Sequence, residues 1–150
     1  ILVDVPPEED SELRGPANIA GIDFIRLTTP TRDEKRLPAL IEGASGFIYY
    51  VSIAGVTGAK SAAASNISDA ISRIREFSDL PIAVGFGIKT PQQAAEIARI
   101  ADAAVVGSAI VQIIADKTGN GDESKNPPDL LSSVLDFVSE LAQAVRTARS

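Results

Sequence analysis

Apolar runs of strand length recur along the chain, and each is followed by residues at helical spacing. Residues 1–5, Ile1-Leu2-Val3-Asp4-Val5, form the first run. A polar helical stretch from Glu8 then meets Gly15-Pro16, where a lost backbone donor should break or restart it. Residues 22–28 make a second run. A charged helical stretch follows from Thr31 and is interrupted at Pro38. Residues 47–53, rich in aromatic and β-branched side chains, predict a third strand. Small residues over 54–65 predict a long loop, after which Ile67, Ile71, Ile74 and Phe77 recur on one helical face. Pro81-Ile82-Ala83-Val84 and Ala103-Ala104-Val105-Val106 are the last two runs. Residues 117–126 read as a polar insertion. From Pro127-Pro128 onward, Leu130, Leu131, Val134, Leu135, Val138, Leu141 and Val145 fall at helical spacing.

Runs that are continuously apolar rather than alternating point to a parallel sheet covered by helices. A doubly wound sheet fits that pattern too. Against it, the glycine signals follow late strands, and Gly85-Phe86-Gly87 lacks the third glycine of a dinucleotide loop. A (β/α)8 TIM barrel needs eight strands and roughly 250 residues. The five runs match the last five βα units of such a barrel, strands four to eight, as a single domain over residues 1–150. The chain opens within a buried-strand pattern and without methionine, so the expectation is the later part of a longer protein.

The chemistry concentrates in two glycine stretches, Gly85-Phe86-Gly87 and Val106-Gly107-Ser108-Ala109. Each ends an apolar run and opens onto a helix. Thr90-Pro91 supplies an N-cap and a proline at the first helical position for one of them. Ser108 begins the other, which offers unpaired N–H groups and a positive dipole end to an anion. Two successive strand ends of this kind, one topped by an extra helix, form the phosphate-binding layout of a (β/α)8 barrel. A phosphorylated small molecule is the expected ligand.

Composition narrows the partners. A net charge of −6 argues against nucleic acid and anionic membranes. No run reaches the length of a membrane span. With no cysteine there is no disulfide or thiolate chemistry, and a cytoplasmic location is the plain expectation. With no histidine, acid–base work falls to carboxylates, tyrosines or lysines.

The segment Tyr49-Tyr50-Val51-Ser52-Ile53-Ala54-Gly55-Val56-Thr57-Gly58, followed by Gly85-Phe86-Gly87-Ile88 and Val106-Gly107-Ser108-Ala109, resembles the tryptophan synthase alpha subunit family. So does Asp4-Val5-Pro6-Pro7-Glu8-Glu9. The Ser-x-x-Gly-Val-Thr-Gly pattern of residues 52–58 is the specific part; other phosphate-binding barrels share the later glycines. The resemblance implies cleavage of indole-3-glycerol phosphate to indole and glyceraldehyde 3-phosphate, in tryptophan biosynthesis, with no metal or organic cofactor. It implies an α2β2 heterotetramer in which the beta subunit carries pyridoxal phosphate. The family's catalytic glutamate and aspartate correspond to positions before Ile1, so an isolated 150-residue chain is expected to be inactive.

On this resemblance Gly58, Gly85, Phe86, Gly87, Gly107 and Ser108 contact the substrate phosphate. Thr57 supports catalysis by closing residues 54–65 as a lid onto the aspartate. Tyr49 points into the barrel, where its hydroxyl reaches substrate or a carboxylate; a buried tyrosine with a satisfied hydroxyl would read the same way. Plainer readings stand beside these: an ordinary N-cap at Ser108, core packing at Phe86, a flexible connector at 54–65. Asp4 ends its strand, where barrel carboxylates often serve the site. Lys60 and Lys89 read as solvated charges, as do Glu8-Glu9-Asp10 and the charges of residues 32–36. Two other functions fit parts of the pattern: a different phosphate-binding barrel enzyme, and an inactive barrel subunit that binds or activates a partner.

Overall fold

The computed structural model describes residues 1, 3, 5–30, 36–52, 60–85, 87–119 and 127–150, with only the backbone for 60–64. Four strands, β1 (Arg26–Thr28), β2 (Ile48–Val51), β3 (Ile82–Gly85) and β4 (Ala103–Val105), form one parallel sheet in the order β1-β2-β3-β4. Helix α1 (Ser11–Ile19) precedes β1, α2 (Leu37–Ile41) precedes β2, α3 (Lys60–Arg75) precedes β3 and α4 (Pro91–Ala98) precedes β4. Two helices, α5 (Ser108–Thr118) and α6 (Leu130–Ala148), follow β4. Strands consecutive in sequence are neighbours in the sheet throughout. There is no reversal of strand order of the kind a doubly wound sheet requires.

The ladder register sorts the side chains onto two faces. Arg26, Ile48 and Ile82 are aligned, as are Thr28, Tyr50, Val84 and Ala104; together they form the outer face. Leu27, Tyr49, Ala83 and Ala103, with Val51, Gly85 and Val105, form the inner face. The core lies on the outer side. Ile48, Tyr50, Ile82 and Val84 pack there with Ile67, Ile71 and Ile74 of α3, Ile97 of α4 and Leu141 of α6. The packing partner of α4 is α6, so α5 is an extra helix set between β4 and the layer that covers the sheet.

Several elements differ from the sequence expectation. Residues 1, 3 and 5 are in no strand, and Ile1 and Val3 are exposed, so nothing covers that segment against the β1 edge. Helix α1 runs through Gly15-Pro16, and the amides beyond recover the local bonding, with Ala20 N–H donating to the Pro16 carbonyl and Ile22 N–H to that of Ala17. Pro38 lies in the first turn of α2, where its missing N–H costs nothing. Residues 60–65, read as loop from their small side chains, belong to α3; three of them are alanines, the strongest helix formers. Phe77 lies past the end of that helix and is half exposed. The apolar stripe of α6 divides: Leu141 is buried with Phe137 and Val145 beside it, while Leu131, Leu135 and Val138 face solvent.

Asp10 is the sharpest departure. Read as part of a solvated run, it is fully buried and pairs with Arg26, itself 5% exposed, on the outer face of β1. Arg14, one turn along, donates through Nε to Asp10 Oδ1 at 3.0 Å. The Arg26 guanidinium lies 4.8 Å from the Phe24 ring centre. A charged residue on the covered face of a strand needs a counterion brought in by another segment, and α1 supplies it. Glu8 does pair in solvent, with Arg36.

Candidate functional site

All four strands are parallel, so the turns after them emerge at one end of the sheet. β3 and β4 are direct neighbours, with Gly85 aligned to Val105. The two glycine turns that follow them are therefore side by side. Gly87 has φ +86°, the left-handed conformation that glycine adopts without strain, and it is exposed. Beyond it Ile88 returns into the core, and Thr90 caps α4. The Thr90 hydroxyl accepts from the Gln93 N–H at 3.3 Å, while the Gln93 carboxamide oxygen accepts from the Thr90 N–H at 3.2 Å and the Lys89 N–H at 2.7 Å. This capping box fixes the exit of the loop.

At the end of β4 the cap of α5 is Gly107, and Ser108 is the first helical residue, one position later than the expected cap. The reason is geometric: the Gly107 carbonyl already accepts from Ile110 and Val111, at 2.9 and 3.1 Å, which makes Gly107 the half-helical residue. The N–H groups of Ser108 and Ala109 come before the first intrahelical bond and point out of the helix start. Both Gly107 and Ser108 are exposed. Eleven residues of α5 place a positive dipole end beside the Gly87 turn.

Tyr49 and Gly85 meet on the inner face. A methyl group added at Gly85 would lie 2.1 Å from the Tyr49 hydroxyl oxygen, so this glycine exists to let the phenol lie across the β3 strand end. That is a different duty from the phosphate contact expected of it. Tyr49 is half-buried on the inner face, as its position in the strand requires, and Tyr50 is buried on the outer. The resemblance gave Ser52 no part beyond the signature; in the structure it locks the site's frame. Its N–H and hydroxyl both donate to the Gly85 carbonyl, at 2.9 and 3.1 Å, joining the ends of β2 and β3. A buried hydroxyl residue directly after a strand was the available signal.

The structure thus brings Tyr49, Gly85, Gly87, Gly107 and Ser108 to one end of adjacent strands. Thr57, Gly58 and Phe86, together with Asp4, lie outside the described residues. Lys89 is exposed, in keeping with a solvated charge. Among the described residues no cluster of acidic side chains could hold a metal, and no helix is long and apolar enough to cross a membrane.

A sequential parallel sheet with helices on one face, and glycine turns plus an extra helix after its last two strands, is part of a TIM barrel with a phosphate-type site. The family profile described as tryptophan synthase alpha chain matches residues 1–146, and the chain belongs to that family. Among solved structures it is similar to the alpha subunit from Legionella pneumophila str. Paris, at 32% identity and TM-score 0.78, over 97% of this chain and 51% of that one. The alpha subunit from Campylobacter jejuni matches at 28% identity and TM-score 0.77, over 93% and 52%. A chain of tryptophan synthase from Mycobacterium tuberculosis matches at 33% identity and TM-score 0.74, over 95% and 49%. The chain spans about half the length of each of these structures.

Proposed function

We propose that this chain forms the phosphate-binding part of a tryptophan synthase alpha site, acting on indole-3-glycerol phosphate within a carbon–carbon lyase. The observation that carries this is the adjacency of the Gly87 turn and the Gly107–Ser108 helix start, at the ends of paired strands in a chain of this family. The phosphate sits on outward-pointing N–H groups at the start of α5, where the dipole favours a dianion. Tyr49, held against Gly85, borders the same end of the inner face and orients the rest of the substrate.

The remaining parts rest on the family resemblance. Gly58 and Phe86 complete the phosphate cradle, and Thr57 closes the lid. The reaction's carboxylates match no position in this sequence, so these residues bind and orient while acid–base chemistry lies elsewhere in the barrel. The 150-residue chain alone then forms no indole. A pyridoxal-phosphate-bearing beta subunit in an α2β2 assembly is the partner, and the cytoplasm the location; this chain needs no cofactor of its own.

Titration with inorganic phosphate and with indole-3-glycerol phosphate tests the reading. Ser108→Ala should weaken both by about 1.5–3 kcal/mol, the worth of a hydrogen bond to a charged group. Unchanged binding would remove the Ser108 contact. Binding that perturbs residues far from Gly87 and Gly107 would remove the site.

A further inference from the structure

The outer face of β1 and β2 carries a second concavity, on the side of the sheet opposite Tyr49. It is a cleft of about 110 Å³ between α2 and α3, with Thr28 and Tyr50 from the sheet and Leu37, Arg73, Ile74 and Phe77 among its walls. Two observations single it out. Thr28 is 2% exposed, and among the described residues its hydroxyl has no hydrogen-bond partner, although buried hydroxyls are ordinarily paired. The walls near it are apolar, while Phe77 leaves one side open to solvent at 50% exposure.

We propose that this cleft binds a small neutral single-ring compound bearing a hydroxyl group, with the ring against Leu37, Ile74 and Phe77 and the hydroxyl on Thr28. Size sets the first limit: an enclosed cavity of roughly 150 Å³ takes benzene, and a slightly smaller cleft open on one side suits one ring and not two. Charge sets the second. Arg73 and Glu76 at the rim are exposed and of opposite sign, so the entrance favours neither anion nor cation. The floor is a threonine in a desolvated setting, which compensates a hydroxyl but not a carboxylate. Burial also pushes the Tyr50 hydroxyl's pKa up, against the opposing pull of Arg73, so it stays protonated beside the ligand. The proposal is independent of the phosphate site on the other face.

Phenol is the probe, added to the full chain and followed by methyl and aromatic NMR, with toluene and benzoate as controls. Phenol should shift Leu37, Ile74 and Phe77, bind more tightly than toluene, and bind more tightly than benzoate. Thr28→Val preserves shape and should weaken phenol about tenfold while leaving toluene unchanged. If that variant fails to fold, the wild-type preference for phenol over toluene decides alone. Equal binding of phenol and toluene overturns the role of Thr28. Tighter binding of benzoate overturns the neutral class. No shifts at Ile74, or shifts centred on Tyr49 and Gly85, overturn the site.

Discussion

β1 and β3 flank the same strand, β2, yet opposite means hold them in place. β3 is Ile82-Ala83-Val84-Gly85, buried at every position, and its outer side chains pack directly on α3 and α4. β1 presents Arg26 and Thr28 to the same covered face, and Arg26 is tolerated there because Asp10 comes in from the segment before α1. An apolar strand degrades gradually as its side chains are trimmed. A strand anchored by a buried ion pair fails abruptly when one charge goes, because the other is left desolvated.

The largest expected effect therefore lies at β1. Asp10→Ala should cost about 3–5 kcal/mol in urea unfolding, by leaving the Arg26 guanidinium buried without its counterion. Replacing both partners, Asp10→Leu with Arg26→Met, should recover most of that loss. A double variant as unstable as the single one would mean that Asp10 stabilises through contacts other than Arg26.

The same contrast governs what could be read from the sequence. β3 and β4 were legible because an apolar run followed by glycine, Thr90-Pro91 or Gly107-Ser108 has few alternative meanings. The parallel sheet and the adjacency of the two glycine turns followed from it. Asp10 was not legible: in a run with Glu8 and Glu9 it has the appearance of solvated charge, and its partner lies sixteen positions away in a strand that had been read as apolar. The start of α3 was hidden for another reason. Lys-Ser-Ala-Ala-Ala-Ser is both a plausible flexible connection and a good helix, and composition does not separate the two. At the site, sequence placed Gly85 correctly and misread its duty, since nothing local shows that the Tyr49 ring crosses it.

At the end of β3 the tolerance of the apolar strand should give out. Gly85→Ala places a methyl 2.1 Å from the Tyr49 oxygen and 3.1 Å from Val105 Cβ, and should destabilise by about 1–3 kcal/mol. Adding Tyr49→Val should recover much of the loss, as the ring is the obstacle. Full stability of Gly85→Ala alone would show that Tyr49 moves aside freely. Smaller again is the effect at the exit from β3: Thr90→Ala removes the capping-box hydroxyl and should cost about 1 kcal/mol, read from the urea midpoint.

The smallest effect sharpens the comparison most, because β3 has a carboxylate of its own. Asp102 Oδ2 accepts from the Ile82 N–H at 2.9 Å and pairs with Arg75 at 3.1 Å, tying the end of α3 to the start of β3. The Ile82 hydrogen bond is the main cause holding its carboxyl below the usual carboxylate range; partial burial opposes it, and Arg75 adds to it. The folded-state pKa is thus lower than the unfolded one. The stabilisation is fully present above the unfolded value of about 4 and is lost as pH falls through the folded value. Arg75 and Asp102 are both exposed, at 51 and 44%, so solvent screens the pair as it does not screen Asp10 and Arg26. Asp102→Asn should cost less than about 1 kcal/mol at pH 7, and the gap to wild type should close in strong acid. A gap of the same size at both pH values would assign the loss to geometry, not charge. A loss as large as that of Asp10→Ala would abolish the distinction between a strand held by burial and one held by an ion pair.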